Sequence, residues 1–233
     1  MIRVTVWNEF VHEREEGRPK EIYPDGIHGC IAAFLSKEKD MTVRTAVLGE
    51  DMDGLSEEVL AETDVLVWWG HCAHDRVSDD TVERVIRHIN GGMGFIALHS
   101  AHHSKVFRRL CGTTCNLSWK NDDREVVNCC APFHPIAKGV PASFVIEPEE
   151  MYAEPFDIPE TSELIFIGSF TDGSVIRGGF TITRGGKIFY FQPGHEDYPT
   201  YHNENVRRII TNAVRFTCPV SGEHCVIPVV NRI

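Results

Sequence analysis

The sequence lacks the short motifs that bind nucleotides and many structural metals. It has no GxGxxG segment after its first apolar stretch, no GxxxxGK[ST] loop and no CxxC pair. It also lacks an apolar run of the ~18 residues that would cross a bilayer. The first residues, MIRVTVWNEF, have no apolar core of a signal peptide. We therefore expect no nucleotide cofactor, no membrane partner and a cytoplasmic location.

Positive charge is scarce as well. The 233 residues include 23 Lys and Arg against 34 Asp and Glu, which gives a formal net charge of −11. Because nucleic-acid binding depends on neutralising phosphates, we expect no nucleic-acid partner. The apolar share of 42% and the charged share of 24% are typical of a globular domain.

Apolar segments and helical stripes alternate along the first half of the chain. This order predicts an α/β fold with a doubly wound, mostly parallel sheet. The predicted strands of this half are 2–7, 42–48, 64–69 and 93–98. The predicted helices between and after them are 26–39, 55–62, a helix that begins after Ser78, and 105–110.

The second half adds strands without the same alternation. Two edge strands are expected within 113–152, followed by strands 164–168, 179–184 and 187–191 and a helix over 204–216. Gly185-Gly186 predicts a tight hairpin between the last two strands. We expect a single domain over residues 1–217 and a C-terminal tail over 218–233.

Histidine follows three of the predicted strands within a few residues. These are His71, His99 and His195. Since ligands of open α/β sheets bind beyond the carboxyl ends of the strands, we expect the three imidazoles at one edge. Imidazoles beside carboxylates can bind a divalent cation such as zinc, manganese or iron, or they can act in acid–base catalysis on a polyol. Both roles are open at this stage.

Carboxylates and aromatic rings near the strand ends complete the predicted site. Glu9 follows the first strand, and Glu154 ends an acidic segment that includes Glu149 and Glu150. Carboxylates can bind sugar hydroxyls, and aromatic faces can pack on sugar rings. The candidate rings, for which a core position is the alternative, are Trp7, Trp68, Trp69, Tyr198 and Tyr201.

Ser100 offers a different chemistry. It follows His99 at the turn after a buried strand, where hydrolases of this topology carry their nucleophile. No oxyanion-hole glycine follows this serine. A hydrolase with a Ser100 nucleophile is therefore an alternative to the histidine site.

Several segments resemble, in the same order, those of the ThuA-like trehalose utilisation proteins, and the similarity runs from about residue 2 to residue 216. The segments are WNE at 7–9, IYPDGIHG at 22–29, VWWGHCAHD at 67–75, LHS at 98–100, EMYAEPF at 150–156 and QPGHEDYPTYHN at 192–203. The resemblance implies a class I glutamine amidotransferase-like, flavodoxin-like fold without the amidotransferase cysteine. It also implies a role in disaccharide catabolism beside a partner dehydrogenase that makes 3-keto sugars.

The resemblance also marks motif positions in this chain. They are Glu9, His28, His71, His74, His99, Glu154, His195 and His202. Together with the strand-end analysis they give a predicted site with three parts. The catalytic groups are His99, His195, Glu154 and Glu9; the substrate-binding groups are Trp7, His28, Tyr201 and His202; the metal ligands are His71, His99 and His195.

Two functional hypotheses follow. The first is an enzyme of the isomerase, lyase or hydrolase type that acts on trehalose, a related disaccharide or its 3-keto derivative. The alternative is a non-catalytic sugar-binding protein that supports the partner dehydrogenase. Either protein is expected to form a homo-oligomer, because the irregular segment after Thr113 and the C-terminal tail can pair with a second copy of the chain.

Overall fold

The computed structural model describes residues 1–220. Its strands are β1 (Ile2–Asn8), β2 (Met41–Val47), β3 (Val65–Trp69), β4 (Gly94–Leu98), β5 (Ser118–Cys129), β6 (Ser143–Ala153), β7 (Glu163–Ser169), β8 (Val175–Thr183) and β9 (Lys187–Phe191). Its α-helices are α1 (Arg18–Ile22), α2 (Gly26–Leu35), α3 (Glu57–Ala61), α4 (Asp79–Asn90), α5 (Lys105–Cys111) and α6 (Glu204–Thr217). Most of the predicted tail, residues 221–233, lies outside the described part of the chain.

The nine strands form one mixed sheet in the order β2-β1-β3-β4-β9-β8-β7-β5-β6. The four pairings from β2 to β9 are parallel. The four pairings from β9 to β6 are antiparallel. The expected α/β fold is confirmed, and its sheet is half antiparallel because a short hairpin such as the one at Gly185-Gly186 cannot make a parallel crossover.

Helices cover both faces of the parallel strands. Along β3, Leu66 and Trp68 belong to the core on one face, with residues of α4 and α5. Val67 and Trp69 belong to the core on the other face, with residues of α2 and α6. Burial on both sides explains why this strand is a continuous apolar run. No helix within residues 1–220 is long and apolar enough to cross a membrane.

The predicted start of α4 is found in the structure. Ser78 is its N-cap, and the Ser78 side chain accepts a hydrogen bond from the Thr81 amide at 3.1 Å. Such a cap satisfies an amide that the helix itself leaves unpaired. Helix α2, by contrast, ends at Leu35 rather than at the expected residue 39, because the polar sequence that follows turns directly into β2.

Candidate functional site

Three histidines from three strand ends meet beside the sheet. The ring centre of His195 lies 5.0 Å from that of His71 and 5.5 Å from that of His99. The rings of His71 and His99 are 6.4 Å apart. They follow β3, β4 and β9, three neighbouring parallel strands, whose carboxyl ends point to one edge.

His99 is a buried member of this cluster, and its backbone has the left-handed φ of +52°. Its Nδ1 donates to the carbonyl oxygen of Gln192 at 2.8 Å, and its Nε2 lies 2.9 Å from Glu150 Oε2. Although burial lowers the pKa of His99, the hydrogen bond and charge of Glu150 raise it overall. Burial raises the pKa of Glu150, but His99 lowers it overall, so each partner favours the charged form of the other.

Glu196 is a buried carboxylate that contacts His71 of this cluster and a fourth histidine, His12. Its Oε1 lies 2.6 Å from His71 Nδ1 and 2.5 Å from His12 Nδ1. Burial raises the pKa of Glu196, but the hydrogen bonds of the two imidazoles hold it well below its usual range. Because an ionised carboxylate only accepts, both Nδ1 atoms carry hydrogen. A neutral His71 therefore keeps its lone pair on Nε2.

His195 is held in the opposite tautomer. Its Nδ1 accepts the backbone N–H of Asp197 at 3.1 Å, so the proton of a neutral ring is on Nε2. Burial and the nearby positive charge of His99 lower the pKa of His195, which favours that neutral ring. His195 is therefore a hydrogen-bond donor placed between the two carboxylate–imidazole pairs.

The turn that carries His195 is fixed by Glu149, a fully buried residue of β6. Its carboxylate accepts from the amides of Gly194 at 3.0 Å and His195 at 3.2 Å, and from Thr200 Oγ1 at 2.5 Å. Gly194 has a φ of +140°, and a Cβ there would lie 2.1 Å from the Tyr201 hydroxyl. The turn thus depends on a glycine and on a buried acceptor.

A cavity of about 260 Å³ opens onto this cluster. Its lining is His71, Ser100, His102, His103, Leu117, Trp119, Asn121, Glu150, Tyr152 and His195. His99 is not among these residues and acts on the cavity through Glu150. A larger cavity, of about 880 Å³, lies beside Ile2 and Lys187 at the amino ends of β1 and β9, and its described lining has no histidine.

The donor sets fit a divalent cation in chemical type. His12, His71 and Glu196 form one group, and His99, Glu150 and His195 form another, with the ligand-type atoms of each group within 4.8 Å of one another. Two imidazoles and a carboxylate are common ligands of zinc, manganese and iron. The three expected metal ligands are thus divided between two groups, because Glu196 holds His71 on the side of His12.

Four residues predicted to bind substrate lie outside the cavity lining. Trp7 is buried and stacks on Trp68, with ring centres 3.8 Å apart, and Tyr201 is buried beneath Gly194. His28 Nδ1 contacts Asn8 Nδ2 at 3.0 Å, and His202 stacks on Tyr23. Trp7 and Tyr201 cannot contact a substrate where they lie, because core side chains cover them.

The two carboxylates predicted to be catalytic have structural partners. Glu9 is buried and accepts the amides of Cys72 at 2.8 Å and Ala73 at 2.9 Å, so it shapes the loop after β3. Glu154 accepts two hydrogen bonds from the Arg177 guanidinium, at 2.7 and 2.9 Å, and one from the Arg177 amide at 3.0 Å. The carboxylates that do join the histidines are Glu150 and Glu196.

Sequence reasoning missed several residues of the site. His12 lies in the loop after β1, and Glu196 directly follows His195, so both could be inferred from the strand-end rule. Glu150 lies in the acidic segment from which only Glu154 is predicted to be catalytic. Trp119 carries no signal in the sequence, because its place at the cavity depends on how the antiparallel strands pair.

Within residues 1–220, no imidazole is a hydrogen-bond partner of Ser100. Its Oγ donates to the carbonyl oxygen of Gly70 at 3.0 Å. The residue with left-handed backbone at this turn is His99. A serine nucleophile needs a base within hydrogen-bond reach, so the geometry favours the histidine chemistry over a Ser100 hydrolase.

A buried acid behind the site gives a testable pH effect. Glu125 of β5 is fully buried, and within residues 1–220 neither carboxylate oxygen has a hydrogen-bond partner. Burial, with the charge of Glu149, raises the pKa of Glu125 well above its ordinary value of 4.5. The folded state thus holds a proton that the unfolded chain releases above about pH 4.5.

Stability from this group is therefore present at low pH and is lost as the pH rises toward the folded pKa. Glutamine does not titrate, so we expect Glu125→Gln to remove this loss of stability at higher pH. Between pH 5 and 8, the free energy of unfolding of the variant should rise relative to that of the wild type by up to ~1.4 kcal/mol per pH unit. Urea unfolding at both pH values measures the difference. Parallel stability curves for the two proteins would show that Glu125 is not neutral in the folded state.

Comparison with known proteins relates the chain to one family. The family model ThuA, described as trehalose utilisation, matches residues 3–217. A solved ThuA-like protein from Bacteroides uniformis is 16% identical with a TM-score of 0.68, over 95% of this chain and 94% of that chain. One from Parabacteroides merdae is 16% identical with a TM-score of 0.69, over 97% and 93%.

A protein described as cytoplasmic, from Salmonella typhimurium, has the same fold. It is 11% identical with a TM-score of 0.63, over 94% of this chain and 100% of that chain. At such identities the likeness of all three structures shows the fold alone. No curated protein sequence matches the chain.

Proposed function

This chain belongs to the ThuA trehalose utilisation family, and from that membership and the histidine cluster we propose an enzyme of carbohydrate utilisation. Its substrate is trehalose or a related disaccharide in its 3-keto form, and its reaction moves a proton next to the ketone. The observation that carries the proposal is one cavity lined by His71, His195 and Glu150, in which the Nδ1 atom of His71 contacts a carboxylate, the Nδ1 atom of His195 accepts a backbone N–H, and Glu150 pairs with His99.

Each of the three groups has a separate task in the proposed reaction. A ketone makes the C–H bond of the next carbon acidic, and His71 Nε2 takes that proton. The C–H electron pair forms a carbon–carbon double bond, and the carbonyl electron pair moves to oxygen. His195 Nε2–H donates a hydrogen bond to this oxygen. Glu196 stabilises the charge that His71 gains.

Isomerisation then needs two further proton transfers. Glu150 takes the hydroxyl proton of the carbon that was deprotonated, so that this carbon becomes the new carbonyl. The double-bond electrons take the proton from His71 at the old carbonyl carbon, and Glu150 returns its proton to the old carbonyl oxygen. If a leaving group is attached to the carbon beyond the deprotonated one, the oxygen electron pair can instead re-form the carbonyl. The double-bond electrons then form a new double bond to that carbon, and the group leaves with its bonding pair and takes the proton from His71, which is an elimination.

A direct test follows hydrogen exchange. We expect the protein to catalyse replacement of the C–H proton next to the ketone of 3-keto-trehalose in D₂O, observed by NMR beside a protein-free control. Exchange or isomer formation above the control supports the proposal. Binding of the sugar without exchange or turnover would instead support the alternative, a non-catalytic protein that assists a dehydrogenase.

The same reading gives a cellular setting. Oxidation of a sugar hydroxyl supplies the ketone, so a sugar dehydrogenase is the proposed partner. We propose a cytoplasmic homo-oligomer, a location that the related Salmonella protein is described as having. The order β2-β1-β3-β4-β9 of the parallel strands supports the flavodoxin-like, doubly wound class for this half of the sheet.

A divalent cation is the second candidate for polarising the ketone. His99, Glu150 and His195, or His12, His71 and Glu196, would hold zinc, manganese or iron. Such an ion would supply a Lewis acid for the carbonyl oxygen. The hydrogen bond from Asp197 to His195 Nδ1 favours the acid–base reading, because it leaves Nε2 protonated rather than free to bind an ion.

Removal of bound metal with a chelator distinguishes the acid–base mechanism from the metal-dependent one. We expect protein dialysed against a mild chelator to keep its turnover of 3-keto-trehalose, because the proposed proton transfers use only side chains. Elemental mass spectrometry on the same sample reports the remaining metal. Activity that falls with metal content and returns with added zinc, manganese or iron would transfer the polarising role to the ion.

A further inference from the structure

The mouth of the cavity is formed by the start of β5, a strand of the antiparallel half of the sheet, and by the residue before it. Leu117, Trp119 and Asn121 are at alternate positions and all three line the cavity. Alternate residues of a strand project from the same face. This short stretch therefore supplies an apolar residue, an indole ring and an amide to the same opening.

Strand pairing places Trp119 close to the reacting groups. Trp119 is opposite Tyr152 in the β5–β6 register, and opposite residues share a face. The Tyr152 hydroxyl lies 3.2 Å from His99 Nε2 and Glu150 precedes it by two residues, on that same face. The indole is thus one residue pair away from the proposed proton-transfer groups.

Exposure changes steeply across this short distance. Glu150 is 3% exposed and His195 is 6% exposed, whereas Trp119 is 63% exposed. The other three tryptophans, Trp7, Trp68 and Trp69, are each 1% exposed. An indole that is open to solvent and lines a polar cavity can place its apolar face against a bound ligand.

The size of the cavity bears on what can fit. Its 260 Å³ is below the ~300 Å³ at which pockets for drug-sized ligands begin. One sugar ring can occupy it, and a second ring of the same molecule must extend outward. The surface that this second ring meets includes Trp119 and Asn121.

We propose that Trp119 and Asn121 form an outer subsite for the second ring of a disaccharide, with the reacting ring held by His71, Glu150 and His195. This inference rests on the proposed function. The apolar face of the second ring packs on the indole, and the Asn121 amide bonds its hydroxyls. The subsite selects disaccharides over monosaccharides.

The test compares two sugars on two proteins by titration calorimetry. We expect the wild type to bind trehalose about ten-fold more tightly than glucose, a size of effect that one well-packed aromatic contact can supply. Trp119→Ala should remove this preference by lowering trehalose affinity about ten-fold more than glucose affinity. Trp119→Phe, which keeps a smaller ring, should retain part of the preference. Phe133→Ala removes a fully exposed ring that does not line the cavity and should change neither affinity.

Each other outcome has a definite meaning. A trehalose preference that persists in Trp119→Ala overturns the subsite but leaves the proposed function intact. A change in oligomeric state of Trp119→Ala by light scattering, with unchanged sugar affinities, assigns the indole to an interface between copies and also overturns the subsite. If the wild type binds neither sugar nor 3-keto-trehalose, the proposed function falls, and the subsite falls with it.

Discussion

His71→Gln and Glu150→Gln are each expected to reduce turnover of 3-keto-trehalose by about 10²–10⁴-fold, the usual contribution of a positioned acid or base. Glutamine keeps much of the volume of either side chain, so the cavity should hold its shape. It cannot take a proton as an imidazole or a carboxylate does. The loss should therefore be mainly in kcat rather than in sugar affinity.

The matched control is a histidine with a partner elsewhere in the fold. His134 Nε2 lies 3.1 Å from Glu163, and its ring packs on Phe216. We expect His134→Gln to keep its activity. Full activity in His71→Gln would remove this residue as the base, and a similar loss in all three variants would point to a general effect on folding.

Glu149→Ala is expected to lower the free energy of unfolding by about 3 kcal/mol or more. Its buried carboxylate accepts from two amides and a hydroxyl of the turn after β9. Removing it leaves those donors without a partner in a region that water does not reach. Urea unfolding at neutral pH measures the loss.

The control for this change lies two residues earlier in the same strand. The Glu147 side chain is 60% exposed and lies 3.5 Å from Arg124. A surface pair of this kind contributes little, so Glu147→Ala should stay within ~0.5 kcal/mol of the wild type. Equal losses at the two positions would show that the turn does not depend on the Glu149 carboxylate.

The strand-end histidines could be predicted because topology alone determines where they lie. Once β3, β4 and β9 are parallel neighbours, the residues that follow them must share an edge. Runs of apolar residues predicted the parallel strands, and the bounds of β9 agree with the prediction to the residue. The part of the site that depends on parallel topology was therefore accessible from the sequence.

The sequence could not predict in the same way which carboxylates and aromatic rings belong to the site. Glu150 and Glu154 lie four residues apart in the sequence. Only the folded position of β8 shows that Arg177 forms an ion pair with Glu154. Trp7 and Trp119 are both strand residues, but one faces Trp68 in the core and the other faces solvent. Which face is covered is a property of the packed sheet and not of the local sequence.

In the proposed site, the two halves of the mixed sheet supply different groups. The imidazoles follow parallel strands, whereas Glu150 lies in β6 and the outer wall of the cavity lies at the start of its antiparallel neighbour β5. Changes at 117, 119 and 121 can alter which molecule enters without disturbing the carboxylate–imidazole pairs. If the outer subsite is as proposed, exchange of this one short segment is the expected route to a new ligand specificity.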